Sequence, residues 1–320
     1  MRRAVGYVLV GLGAFLIVAA PLLKWYAAPQ LIKAPLDQYS TTVSQANGAT
    51  FLDISTLSVL TGQQLTASRT VRGDVAAGNS DVAVWDVFVR VAAAENKLVT
   101  ATTDRVAFDR RTSEAVNCCG EHVNGDKSVR HQGIEYKFPF GAKKQTYQYF
   151  DTTLRGATPM EYQGEEELAE LDVYRYVQRI EPTKIAELDA PGVLLGRPEP
   201  AVASDRFYSN TRTVWVEPVS GVVVKGQEEQ LSTVRAQQGA GELVVTQATL
   251  VFNDQTIAEQ ADNASEARSR ISILTFTGPL VSLLIGIVLV VIGVLLLRRP
   301  PTPGADGRHR SQEREPEPVA

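Results

Sequence analysis

The sequence predicts a mainly β, α+β protein: an antiparallel β-rich extracytoplasmic domain held between two transmembrane helices. Three observations predict it. Two long stretches without charge, residues 4–23 and 271–297, stand near the ends of the 320 residues. Between them, apolar and polar residues alternate with the period of a strand, punctuated by turn residues. Strand follows strand with few helical intervals, which favours antiparallel pairing over βαβ units.

Residues 1–4 are read as a cytoplasmic N-terminus and residues 5–23 as the first transmembrane helix, since the run reaches the roughly 20 apolar residues that cross about 30 Å of hydrocarbon. A cleaved signal fits less well. The run exceeds the usual apolar core of about 7 to 15 residues, and a cut after "VAA" or "YAA" would set Pro21 or Pro29 beside the scissile bond. Arg2 and Arg3 precede this helix, and Arg298, Arg299, Arg308 and Arg310 follow the second. The positive-inside tendency therefore predicts a two-pass plasma-membrane protein with both termini cytoplasmic. Lys24, Arg268 and Arg270 on the opposite flanks weigh less, because long loops translocate largely regardless of charge.

Residues 25–252 are expected to form the extracytoplasmic β-rich domain. "DVAVWDVFVRVAA" places Trp85, Val87, Val89 and Val91 on one face, a strand with one side buried. "KLVTATTDRVAFDRRTSEAVN" predicts two more strands. "IEYKFPF" and "QTYQYF", flanking "GAKK", predict a hairpin. "DVYRYVQRI", "TRTVWVEPV", "GVVVKGQEEQ" and "ELVVTQATLVF" continue the pattern. "VAFDRRTSEAVN" at 106–117 and "VWVEPVSGVVVK" at 214–225 share a scheme of strand, acidic residue, Ser-containing turn and second strand. That scheme fits either two related halves or two hairpins that look alike.

Residues 253–272 repeat Ile257, Ala261, Ala264, Ala267 and Ile271 at helical spacing, with Asn253 or Asp254 as N-cap, so a juxtamembrane helix is expected. Residues 273–297 are the second transmembrane helix. The Pro-rich, charged stretch 298–320 is expected to be a disordered cytoplasmic tail. Gly6, Gly13 and Ala20 in the first helix, and Ser282, Gly286 and Gly293 in the second, form stripes of small residues that would let the helices pack closely.

Cys118 and Cys119 are the only cysteines. Outside the cytosol an even pair tends to oxidise, and a vicinal disulfide, bridges between chains and free thiols remain open. Cys118, Cys119, His122 and His131 match no zinc spacing, so no metal site is expected. No phosphate loop, dinucleotide fingerprint, HExxH or GxSxG is present, and the run "GEEELAELD" reads as a solvated surface turn. Hence no catalytic residue and no cofactor are expected. Acidic residues outnumber basic ones between the helices, which excludes a nucleic-acid partner and broad attraction to anionic polymers. Tyr136, Phe138, Tyr147 and Tyr149, near Lys143 and Lys144, are the candidate ligand contacts; a buried strand face is the plainer account of the aromatics.

Five stretches carry a family resemblance: "GAFLIVAAPLLKWY", "DRRTSEAVN", "KFPFGAKKQTYQYFDTTL", "YQGEEELAELDVYRY" and "WVEPVSGVVVKG". Over nearly the whole chain except the tail, the sequence resembles the actinobacterial PorA-family porins, formerly a domain of unknown function. The resemblance implies a two-helix membrane protein with an extracytoplasmic domain in a high-GC Gram-positive envelope, and carries over no catalytic residue. The expected function is a non-enzymatic, membrane-anchored domain that binds or organises an envelope lipid, glycan or protein, with membrane lipid and a homo-oligomer among its partners. An oligomeric porin-like channel is the alternative.

Overall fold

The structure, a computed structural model, describes residues 2–298. The expected tail lies, apart from Arg298, outside the described residues. The chain divides into two units: residues up to 26 with those from 275 onward, and residues 27–274.

The first unit is a helix pair, α1 (Arg2–Leu22) with a later helix, Gly278–Arg298, numbered α4 because two further helices, α2 (Ala28–Leu31) and α3 (Asp254–Ser272), intervene in the chain. Both stretches are long and apolar enough to cross a membrane. They pack antiparallel, and the small residues explain why. Gly6, Gly13 and Ala20 are buried on α1, Gly286 and Gly293 on α4. A Cβ on Gly13 would stand 2.6 Å from the Gly286 carbonyl oxygen, and one on Gly293 would stand 2.8 Å from that of Gly6. Only residues without a side chain permit that approach. Ser282 Oγ adds a hydrogen bond to the Leu16 carbonyl at 3.1 Å.

The second unit is built on eleven strands: β1 (Tyr39–Asp53), β2 (Ser58–Gly73), β3 (Val82–Ala92), β4 (Leu98–Asp109), β5 (His122–Val123), β6 (Tyr147–Asp151), β7 (Gly156–Leu168), β8 (Leu171–Pro191), β9 (Ala201–Glu217), β10 (Val222–Ala236) and β11 (Glu242–Phe252). They make one antiparallel sheet in the order β5-β4-β3-β2-β1-β11-β10-β9-β8-β7-β6. Two meanders thus meet where β1 pairs with β11, with Ser44 opposite Phe252. The sheet curls until its end regions are linked by a backbone relay. Ala115 bridges to Phe108 of β4 and donates to the Gly133 carbonyl at 2.8 Å; Ile134 donates to Gln148 of β6 at 2.9 Å. Backbone groups at both edges are thereby satisfied.

The strands end in a recurring turn. Asp109 accepts from the backbone N–H groups of Arg111 and Thr112, Asp151 from those of Thr153 and Leu154, and Glu217 from those of Val219 and Ser220. Two residues after each of these pairs begins, the chain takes a left-handed conformation, at Ser113, Arg155 and Gly221. The likeness between 106–117 and 214–225 is therefore a property of the turn, repeated a third time at 151–155. It does not require two related halves.

Two strand expectations need correction. The hairpin expected from 134–140 with 145–150 does not form: Phe138, Gly141 and Ala142 donate to the carbonyls of Gly221, Val219 and Pro218 instead, wrapping the β9–β10 turn. Ile134 keeps a single bridge to Tyr149, and it is parallel. The second strand expected within 98–117 shrinks to the bridge at Ala115. β3 follows its pattern, with Trp85 and Val87 buried and Phe88 exposed. Within the same unit, α3 starts where expected. The Asn253 side chain accepts from the Thr256 N–H at 2.9 Å, and Ala261 and Ala264 pack on Leu171, Val173 and Val224.

Candidate functional site

Curling the sheet gives every strand an inward face, read off its alternation. On β9 the inward positions include Arg206, Tyr208 and Arg212; on β10, Glu228, Gln230 and Ser232; on β2, Leu65, Ala67, Arg69 and Val71. These faces enclose a cavity of about 1310 Å³. Its lining on β1 comprises Tyr39, Ser40, Thr42 and Ser44 at one end and Leu52 near the other, while Ala46, Ala49 and Phe51 between them are buried in an apolar cluster with Leu65 and Ala248. Apolar residues such as Leu65, Val91 and Leu250 share the lining with the polar ones.

A charged network crosses the lumen, because the register sets Arg212 beside Glu228 on paired strands. Arg212 reaches Glu228 at 3.2 Å and Asp151 at 3.0 Å, and donates to Gln178 Oε1 at 2.6 Å. Arg69 approaches Glu228 from the other side at 3.6 Å, while its buried Nε has no hydrogen-bond partner among the described residues. Burial would raise the Glu228 pKa, but Arg212 and Arg69 outweigh it and hold the carboxyl at about 2. Arg206 lines the lumen too, bonded through Nε to Ser232 Oγ at 3.0 Å, and burial pulls its pKa down.

The four candidate aromatics separate into two pairs. Tyr136 and Tyr149 line the lumen, with the Arg69 guanidinium 5.5 Å from the first ring and that of Arg212 5.3 Å from the second. Burial pushes the Tyr149 hydroxyl up to about 12. Phe138 and Tyr147 do not line the lumen; they sit behind Tyr149 in a closed core with Met160 and Tyr176, where the Phe138 and Tyr147 rings meet edge to face at 5.3 Å. Lys143 and Lys144, expected beside these aromatics, do not face the lumen; Lys144 pairs with Glu165. Arg69, Arg206, Arg212 and Glu228 take the charged role that the sequence reading gave to the lysines. One signal could have found them: each holds an inward position on its strand.

Outside the lumen, a second polar cluster is buried. His131 Nε2 lies 3.0 Å from Asp104 Oδ1 and 3.8 Å from Glu135 Oε2, and Nδ1 lies 3.0 Å from Glu121 Oε2. Burial would lower the His131 pKa, yet Asp104 and Glu121 raise it; burial and Asp104 push that of Glu135 up. Cys118 and Cys119 are joined to each other by a disulfide, so neither sulfur is free to bind a metal.

Two helices long and apolar enough to cross a membrane thus accompany a curled antiparallel sheet with a lumen. The model of the family "Porin PorA" matches residues 5–295. The chain belongs to that family. Relatives of the same name come from Corynebacterium amycolatum, 27% identical over 92% of this chain and 98% of the relative, and from Corynebacterium resistens, 24% identical over 92% and 97%.

Proposed function

We propose that this chain serves as a porin-like passage of the cell envelope, in which the lumen of the curled sheet is the compartment that solutes enter. The helix pair is its two-pass anchor, with both termini cytoplasmic. The observation that carries this reading is the size of the lumen together with its mixed lining: about 1310 Å³, with Arg69, Arg206, Arg212 and Glu228 beside apolar residues. The name of the relatives supports it. The helices alone do not supply the path, since no Asp, Glu, Lys, Arg or His lies between Arg3 and Lys24 or between Arg270 and Arg298. Nor do the strands cross the membrane themselves. The outer face of β8 exposes Arg179, Glu181, Glu187 and Asp189, unlike the apolar belt of a membrane barrel. Conduction through the bilayer then requires several copies of the helix pair.

Planar-bilayer recording of the purified full chain tests this. Ala67 and Ser44 are cross-strand neighbours that line the lumen, and Thr66 beside them is exposed. Ala67→Trp should cut single-channel conductance severalfold, and Thr66→Trp should leave it unchanged. Equal currents from both variants would defeat the reading.

A second reading has its own support. The mixed lining, Leu65 and Leu250 with Arg206 and Arg212, suits an amphiphile, so the lumen would hold an envelope lipid or glycolipid. A lipid mass retained in gently extracted protein, and lost in Ala67→Trp without any bilayer current in either form, would select it.

A further inference from the structure

We infer that Asp104, His131 and Glu135 form a structural binding site for a first-row divalent cation, with Zn²⁺ as the best fit. The inference stands apart from the reading of the lumen. One oxygen or nitrogen from each residue lies within 4.8 Å of the others, and all three residues are buried. Tetrahedral zinc with bonds near 2.0 to 2.2 Å holds its ligand atoms roughly 3.3 Å apart. The separations of 3.0 and 3.8 Å from His131 Nε2 bracket that value.

The independent sign of a missing partner is Glu135. Its side chain is 7% exposed, and Oε2, directed toward His131, has no hydrogen-bond partner among the described residues. An unsatisfied buried carboxylate oxygen is costly unless a cation or proton meets it. A small cavity of about 10 Å³, lined by His131 and Glu135, adjoins it, room for roughly one water as fourth ligand.

The surroundings resemble the outer shell of a metal site. Glu121 holds His131 Nδ1 at 3.0 Å, which fixes the ring so that Nε2 faces the other two ligands. The Tyr136 hydroxyl donates to Asp104 Oδ2 at 2.8 Å and leaves Oδ1 for the ion. Three buried carboxylates, Asp104, Glu121 and Glu135, face His131; Arg130 pairs with Glu121 at 3.2 Å, and Arg212 and Arg69 act on Glu135 only from a distance. A divalent cation supplies the missing charge. Imidazole beside carboxylates selects zinc-like ions over calcium and magnesium, which take oxygen ligands. Asp104 belongs to β4, while His131 and Glu135 lie in the segment that links β5 to β6, so the ion would clip the seam of the sheet.

The full-length chain in detergent, stripped with chelator and dialysed against micromolar ZnCl₂, should bind one zinc per chain by elemental analysis. Its Tm should rise over the stripped form, because the ion binds the folded state. X-ray absorption should give a nitrogen and oxygen shell with no sulfur. Glu135→Gln should weaken binding more than about tenfold and Glu121→Gln about tenfold. Failure of the wild type to take up Zn²⁺ or Mn²⁺ overturns the inference, as does undiminished uptake by Glu135→Gln. Should Glu135→Gln not fold, the wild-type stoichiometry and absorption spectrum decide alone.

Discussion

At the residue scale, the lumen is held by an ionic network whose value depends on pH. The Glu228 pKa is about 2 in the folded protein against an ordinary 4.5. Between those values the unfolded chain binds more protons, so the network's contribution is complete above about pH 4.5 and fades as pH falls toward 2, roughly 3 kcal/mol in all. Glu228→Gln should therefore destabilise at neutral pH by roughly that amount, leaving Arg212 and Arg69 short of an anion. The difference from wild type should vanish near pH 2. Denaturant titrations across pH check it, and a gap that stays constant down to pH 2 would refute it. Gly221 gives a second residue-scale expectation. It has φ 72°, and a Cβ there would strike the Phe138 carbonyl oxygen. Gly221→Ala should cost about 2 kcal/mol or more, read as a lowered denaturation midpoint at unchanged m-value. Arg155 holds the same left-handed turn position with a Cβ already in place, so Arg155→Ala loses only its ion pair with Asp126 and should cost less than Gly221→Ala.

At the scale of elements, legibility followed the range of the contact. The alternation in β3 and the cap and apolar stripe of α3 are local, and the sequence discloses them. The glycines of α1 and α4 were visible as stripes, and the structure matches them to each other. The segment 134–140 was not legible. Its apolar residues looked like a strand, but their backbone partners are the carbonyls of the β9–β10 turn, some 80 residues away. The lumen was half legible for the same reason. Tyr136 and Tyr149 stood out by type, whereas Arg69 and Arg212 meet at Glu228 only because β1 pairs with β11 and the sheet curls. One element-scale prediction follows from the helix pair. Since the Gly13 Cβ position falls 2.6 Å from a carbonyl and 2.7 Å from Val290, Gly13→Ile should separate the helices. Gly11, with nothing within 4 Å, should accept isoleucine. Cysteine crosslinking between positions 16 and 282, where Ser282 already reaches Leu16, should fail in the first variant and persist in the second.

For the whole molecule, the antiparallel helix pair constrains topology without reference to charge. If α1 and α4 cross the membrane as a pair, residues 26 and 275 emerge from the same end of it, because Gly6 lies against Gly293 and Gly13 against Gly286. Residues 27–274 must then reside wholly on one side, and the arginines at positions 2, 3 and 298 on the other. Arginine-rich flanks favour the cytoplasm, so the orientation proposed above has the lumen outside. Protease added to wall-stripped cells should accordingly digest residues 27–274 and leave fragments that contain α1 and α4. Tags fused to either terminus should become accessible only after lysis. The opposite pattern, tags cut from outside and the sheet protected, would keep the fold but place the lumen in the cytoplasm. No solute could then enter it from the envelope side, and the passage proposed here would have no entrance.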